Sequence, residues 1–153
     1  MKRKIISKML DWKEKKSGTA LLIDGARRVG KSYAAEAFGK EYYKSYILID
    51  FSEVGKDIYS LFENGVNDLD NLFMYLSAYF GIELYDRESL IIFDEIQLCP
   101  KARSAIKFLV KDGRYDYIET GSLMSIRNNT QDIVIPSEER HLRMHPMDFE
   151  ESC

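Results

Sequence analysis

Residues 25–32 decide the predicted fold, and they read Gly25-Ala26-Arg27-Arg28-Val29-Gly30-Lys31-Ser32. The order fits G-x-x-x-x-G-K-S, the pattern of a loop that binds nucleotide phosphates. An apolar run over 20–24 precedes the loop and is typical of a strand, and the segment 32–40 after it is typical of a helix. This strand–loop–helix context separates a phosphate loop from a chance glycine turn that includes Lys and Ser. The sequence therefore predicts a phosphate site at the end of the first strand.

Each residue type in this loop suits a phosphate ligand. Gly25 and Gly30 allow backbone angles that turn successive N–H groups toward phosphate oxygens, and the helix that begins near Lys31 adds its dipole and its unpaired N–H groups. Lys31 would reach the β- and γ-phosphates, and the Ser32 hydroxyl would bind Mg²⁺, which prefers oxygen ligands. The residues expected to bind nucleotide are Gly25, Ala26, Arg27, Arg28, Val29, Gly30, Lys31, Ser32 and Tyr33.

A second chemical signal lies in residues 89–95, which read Ser89-Leu90-Ile91-Ile92-Phe93-Asp94-Glu95. A buried parallel strand of this kind delivers its final side chains to the sheet edge where ligands bind. Asp94 would hold Mg²⁺ through water, and Glu95 would orient or deprotonate an attacking water. An acidic strand end alone is weak evidence, but one that follows a phosphate loop after a further strand and helices indicates a Walker B segment.

The predicted fourth strand, over 115–122, ends in the small polar residues Thr120-Gly121-Ser122. At this place in P-loop ATPases a polar side chain touches the γ-phosphate or its attacking water. Thr120 and Ser122 are the candidates, so the expected catalytic set is Lys31, Glu95, Thr120 and Ser122. The alternative is an ordinary turn. Glu119 is unusual in a strand expected to be central, and Arg27 and Arg28 are the partners that we consider for it.

Length and composition describe an ordinary globular domain. A chain of 153 residues predicts one domain, and a net charge of −3 gives no overall attraction to nucleic acid or membrane. No apolar run approaches the roughly 20 residues that a membrane span requires. The two cysteines lie far apart in the sequence, which favours free thiols in a reducing compartment. We therefore expect a cytoplasmic protein without membrane association.

Apolar periodicity and capping residues predict the remaining elements. Asp68 is the expected N-cap of one helix and Gly81 its end, while Pro100 opens a later helix that Gly113 ends. Lysines around the first helix form either a solvated face or a contact with nucleic acid. His141 and His145, in the last predicted strand, are not expected to share a metal ion. The predicted ranges are helices over 3–16, 55–63, 69–80 and 100–111, and strands over 45–51 and 139–145.

These stretches together resemble one group of the AAA-type P-loop ATPases, the bacterial and archaeal ATP-binding proteins with a separate C-terminal domain of uncharacterised function. The resemblance covers nearly the whole chain. It implies an α/β three-layer sandwich, in which a parallel five-stranded sheet of order 5-1-4-3-2 has helices on both faces. The motifs that carry it are Leu21–Ser32, Ile91–Gln97, Thr120-Gly121-Ser122 and Pro146-Met147-Asp148-Phe149-Glu150-Glu151.

The resemblance further implies Mg²⁺-dependent binding and hydrolysis of ATP rather than GTP. It also implies that residues 1–153 are an ATPase core, with its sheet and helices over 19–146, truncated before a helical lid and a C-terminal domain. We expect slow hydrolysis from such a core. Homo-oligomers or a protein partner, engaged through the C-terminal domain, are the expected assemblies. An arginine that completes the site would be Arg127, Arg140 or Arg143, or would lie beyond the core.

Two other functions fit the same residues. A P-loop kinase would transfer the phosphoryl group to a small molecule, although Glu95 directly after Asp94 favours water as the acceptor. A non-enzymatic switch would bind ATP and ADP and recruit different partners in each state.

Overall fold

The computed structural model describes residues 2–15, 19–24, 30–64, 66–121 and 139–143. The predicted features at 25–29, 122, 127 and 144–153 lie outside these ranges. In the described part of the chain, the helices are α1 (Lys2–Lys15), α2 (Lys31–Tyr42), α3 (Lys56–Asn64), α4 (Leu69–Phe80) and α5 (Pro100–Asp112), with a 3-10 turn at Ile96–Leu98. The strands are β1 (Ala20–Asp24), β2 (Ser45–Asp50), β3 (Ser89–Asp94), β4 (Asp116–Gly121) and β5 (Glu139–Arg143).

The strands form one parallel sheet in the order β2-β3-β4-β1-β5. The α/β class, the parallel sheet and the order 1-4-3-2 of the first four strands are as predicted. β5 runs beside β1, with Glu139 opposite Ala20. Because all these strands point the same way, their carboxyl ends meet at one edge of the sheet, where ligands bind in open α/β folds.

Alternating side chains of the sheet enter two separate apolar clusters, as the period of a strand requires. Ile91 and Phe93 pack under α3, α4 and α5, whereas Leu90 and Ile92 pack under α1 and α2. Helices therefore cover both faces of the sheet, as predicted, and β3 is buried along its whole length.

Local capping explains where the helices begin and end. The Asp68 side chain accepts a hydrogen bond from the Asn71 N–H at 3.2 Å, which satisfies one of the unpaired donors of the first turn of α4. Gly81 ends α4 with φ 66°, and Gly113 ends α5 with φ 77°, in the left-handed region that favours glycine. These three predictions are confirmed.

α1 is joined to the rest of the domain by its apolar side. Met9 and Trp12 are buried there, and the Trp12 indole N–H donates to the Thr19 carbonyl at 3.0 Å. Lys8 lies on the exposed side of the helix. No helix within the described ranges is long and apolar enough to cross a membrane.

Candidate functional site

Gly30 directly precedes α2, and its φ of 80° and ψ of 26° are left-handed. A side chain at this position would be strained, so the second glycine of the motif has a backbone reason to be there. The Gly30 carbonyl accepts from the Ala34 N–H at 2.9 Å and starts the helix. Ser32 is half-buried and Tyr33 is 53% exposed.

The predicted phosphate loop extends beyond the residues that the structure describes. Gly25, Ala26, Arg27, Arg28 and Val29 lie outside the described residues, as does the Lys31 side chain. Their contacts with nucleotide stay predictions. The start of α2 nevertheless follows β1 at the edge where β3 and β4 also end, which is the placement that the motif predicts.

Asp94 closes β3 at this edge, and its neighbour on β4 is Thr120. Asp94 is 8% exposed and Thr120 is fully buried. The Thr120 hydroxyl donates to Asp94 Oδ1 at 2.5 Å. The two residues that sequence reasoning assigned to separate motifs therefore form one hydrogen-bonded unit.

Glu95 leaves the strand through a left-handed backbone, with φ 57° and ψ 52°. This conformation is uncommon for a residue with a side chain, and such strain persists where the surroundings hold it. The Glu95 N–H donates to Thr120 Oγ1 at 3.2 Å. The Thr120 hydroxyl thus accepts from Glu95 while it gives its one proton to Asp94, so a single side chain of β4 fixes both members of the acidic pair.

Gln97 is a member of this group that sequence reasoning missed as a functional residue. It lies in the 3-10 turn after Glu95, is 8% exposed, and its Nε2 donates to Glu95 Oε1 at 2.7 Å. A polar residue two positions after an acidic strand end was the available signal. Its meaning depends on the left-handed turn at Glu95, which the sequence does not reveal.

Glu119 has a partner that the sequence did not suggest. Its Oε1 lies 3.4 Å from Nη1 of Arg103 in α5, and both side chains are buried, at 0% and 1% exposure. Glu119 therefore faces α5, while the next residue along β4, Thr120, faces the acidic pair. The expected partners Arg27 and Arg28 lie outside the described residues.

The donors at this edge suit magnesium. Asp94 supplies a carboxylate and Ser32 a hydroxyl, and both are hard oxygen ligands. No group of three or more His, Cys, Asp or Glu side chains within the described ranges could hold a metal ion. A P-loop magnesium site needs no such group, because phosphate oxygens and water complete its shell.

The arginine candidates and the two histidines lie at or beyond β5, apart from Arg127. Arg140, His141 and Arg143 belong to β5, whose backbone alone is described, while Arg127 and His145 lie outside the described residues. Their roles stay predictions, and so does that of Ser122.

Comparison with known proteins agrees with this architecture. A family model described as an AAA domain matches residues 17–153. The solved structure of PCH-2 from C. elegans is similar, with a TM-score of 0.50 and 12% sequence identity over 95% of this chain and 42% of that chain. At this identity the likeness shows the fold, and this chain spans less than half of PCH-2. A search of curated protein sequences gave no match.

Proposed function

The chain belongs to this family of AAA domains, which are nucleotide-binding domains of the ATPase type, and from that premise we propose that it binds ATP with Mg²⁺ and hydrolyses the γ-phosphate. One observation carries the proposal. The helix that follows the G-x-x-x-x-G-K-S motif begins at the sheet edge where the Thr120 hydroxyl ties Asp94 and Glu95 together.

The reaction is in-line attack of water on the γ-phosphorus, in which the new P–O bond forms as the bond to the ADP oxygen breaks. The protein contributes mainly by positioning groups and placing charge in such reactions. Lys31 binds the β- and γ-phosphates, and Glu95 orients the water and takes up its proton. Thr120 keeps Asp94 and Glu95 in a fixed relation to each other.

Ser32 and Asp94 would hold the magnesium ion, which when bound neutralises charge on the phosphate oxygens. Asp94 is well suited to this, since its carboxylate is already oriented by Thr120 and little reorganisation is needed on binding. Gly25–Gly30 and the first N–H groups of α2 would bind the phosphates.

Two pairs of variants test the proposal on the folded chain. Lys31→Ala should weaken Mg·ATP binding by at least tenfold in calorimetric titration, whereas Lys40→Ala, an exposed charge at the other end of α2, should leave the affinity unchanged. Glu95→Gln should keep the affinity and lose hydrolysis by about a hundredfold or more, whereas the exposed Glu53→Gln should hydrolyse ATP as the wild type does. Equal affinity of the Lys31→Ala and Lys40→Ala variants would overturn the proposal.

A further inference from the structure

Gln97 is buried between the end of β3 and the start of α5, in the turn that Glu95 opens. The Leu98 N–H donates to the Glu95 carbonyl at 3.0 Å, and the Cys99 N–H donates to the Ile96 carbonyl at 3.0 Å, so the backbone of the turn is fixed. Within this turn, the Gln97 Nε2 atom donates a hydrogen bond to Glu95 Oε1 at 2.7 Å.

The chemistry of the two groups fixes which end of the amide faces Glu95. An ionised carboxylate only accepts hydrogen bonds, so the amide Nε2 must point at it, and a flipped amide would set two oxygens against each other. The Gln97 Oε1 atom is then directed away from Glu95. It is buried and has no hydrogen-bond partner among the residues that the structure describes.

This arrangement is unfavourable for Gln97 itself. A buried acceptor without a partner destabilises a fold, and an apolar side chain of similar length would avoid that loss. Stability alone therefore gives no reason for an amide here. The hydrogen bond to Glu95 is a reason for an amide at this position, because the amide nitrogen supplies the donor that an apolar side chain lacks.

The hydrogen bond from Gln97 restrains the side chain of Glu95. The backbone N–H of Glu95 is fixed by Thr120, and its side chain is half-buried, with several staggered rotamers open to an unrestrained glutamate. The bond from Gln97 holds the far end of that side chain. Glu95 is thus held at both ends, its main chain by β4 and its carboxylate by the turn.

We propose that Gln97 is a positioning residue for ATP hydrolysis, which orients the Glu95 carboxylate toward the attacking water. The inference rests on the proposed role of Glu95. It assigns to Gln97 an effect on the chemical step and none on nucleotide affinity, because the partner of the Gln97 amide among the described residues is Glu95. If Gln97 only filled space in the turn, its replacement would not lower the rate of hydrolysis while leaving nucleotide affinity unchanged.

The test compares variants of Gln97 of similar length. Gln97→Met retains bulk but has no donor, and Gln97→Glu retains the shape but sets a second carboxylate against Glu95. Single-turnover hydrolysis of ATP should fall about tenfold in Gln97→Met and about a hundredfold in Gln97→Glu, with the Kd for Mg·ATP within about twofold of wild type in both. The thermal midpoint of Gln97→Met should not fall below that of the wild type.

A double variant separates action through Glu95 from a general effect on the fold. In a Glu95→Ala background, where the carboxylate is absent, Gln97→Met should cause no further loss of rate. Wild-type rates for Gln97→Met, or an equal loss with and without Glu95, would overturn the inference while leaving the proposed function in place. A Glu95→Gln protein that hydrolyses ATP at the wild-type rate would overturn both.

Discussion

β3 and β4 lie side by side at the centre of the sheet, and they are buried by different means. From Leu90 to Phe93, β3 is apolar, and its residues pack alternately into the two apolar clusters. β4 carries Glu119 and Thr120, which are just as deeply buried. Each of these two polar residues has a partner on another element, since Glu119 pairs with Arg103 of α5 and Thr120 bonds to the end of β3.

The difference shows what each strand depends on. An apolar strand is stabilised by any close-packed neighbours, and the free energy grows with the apolar area removed from water. A strand with buried polar groups needs particular partners, since each unpaired group destabilises the fold. The edge of the sheet that carries Asp94 and Glu95 therefore depends on α5 and on the turn after β3 in a way that the apolar centre of the sheet does not.

The largest effect is expected from a cavity in β3. Phe93 is fully buried and stacks on Tyr117 at 6.1 Å between ring centroids. Phe93→Ala should lower the free energy of unfolding in urea by about 4 kcal/mol, because the lost contacts and the cavity add. Phe108→Ala is the control, since Phe108 is 49% exposed and should lose about 1 kcal/mol or less. Equal losses would mean that the apolar centre of β3 is not the main source of stability.

Breaking the ion pair of β4 should come next. Arg103→Met leaves the Glu119 carboxylate in a buried site without its guanidinium and should destabilise the fold by about 3 kcal/mol. The double variant Arg103→Met/Glu119→Leu should regain much of that loss. Arg114→Met is the matched control, because Arg114 pairs with Asp70 and Asp112 at the surface and such pairs contribute about 0–1 kcal/mol. A double variant as unstable as Arg103→Met alone would contradict the interpretation.

Removing the Thr120 hydroxyl should have a smaller effect on stability and a larger one on activity. Thr120→Val keeps the shape but leaves the Asp94 carboxylate and the Glu95 N–H without this partner, which should cost about 2 kcal/mol. Hydrolysis should fall because the acidic pair is no longer held. Thr120→Ser keeps the hydroxyl and should stay near wild type in both urea unfolding and turnover. Equal behaviour of the Val and Ser variants would show that the hydroxyl is dispensable.

The smallest effect at neutral pH is expected from Tyr117→Phe. The Tyr117 hydroxyl is buried without a hydrogen-bond partner in the described part of the chain, so its removal should not lower the free energy of unfolding. Burial, and then the nearby Asp112, raise the pKa of Tyr117 well above its usual value.

Because of this raised pKa, Tyr117→Phe should change how stability depends on pH above neutrality. The folded state keeps the Tyr117 phenol protonated, while the unfolded chain ionises it near about pH 10. The stability of the wild type is therefore unaffected by this group below about pH 10 and falls as the pH rises further. Tyr117→Phe should therefore lose less stability than the wild type between neutral pH and pH 11. Tyr43→Phe is the contrast, since the Tyr43 hydroxyl donates to Asp116 and its loss should already show at pH 7. Parallel pH profiles for wild type and Tyr117→Phe would contradict the assignment.

The same contrast explains what the sequence could predict. The apolar run of β3, the Asp68 cap and the glycine ends of α4 and α5 follow from local chemistry, and the structure has them within a residue or two. The placement of Asp94 and Thr120 at one edge of the sheet also follows, because parallel strands present their carboxyl ends together.

The partners of the polar groups could not be predicted in this way. The periodicity of α5 predicts which apolar residues face inward, but it does not show that Arg103 lies over Glu119, since that contact joins two elements across a layer. The left-handed Glu95 was also hidden, because Gly, Asn and Asp are the residues that normally indicate such a backbone. Without that turn, nothing in the sequence links Gln97 to Glu95.

The packing of α1 on α2 gives the protein an internal optical reporter. Trp12 is the single tryptophan of the chain, is 4% exposed, and lies 6.5 Å from the Phe38 ring of α2, the helix that follows the predicted phosphate loop. An indole in such surroundings emits at short wavelength and shifts to the red when water reaches it. Any change that separates the first helix from the second can therefore be followed by fluorescence, without a dye and without altering a residue.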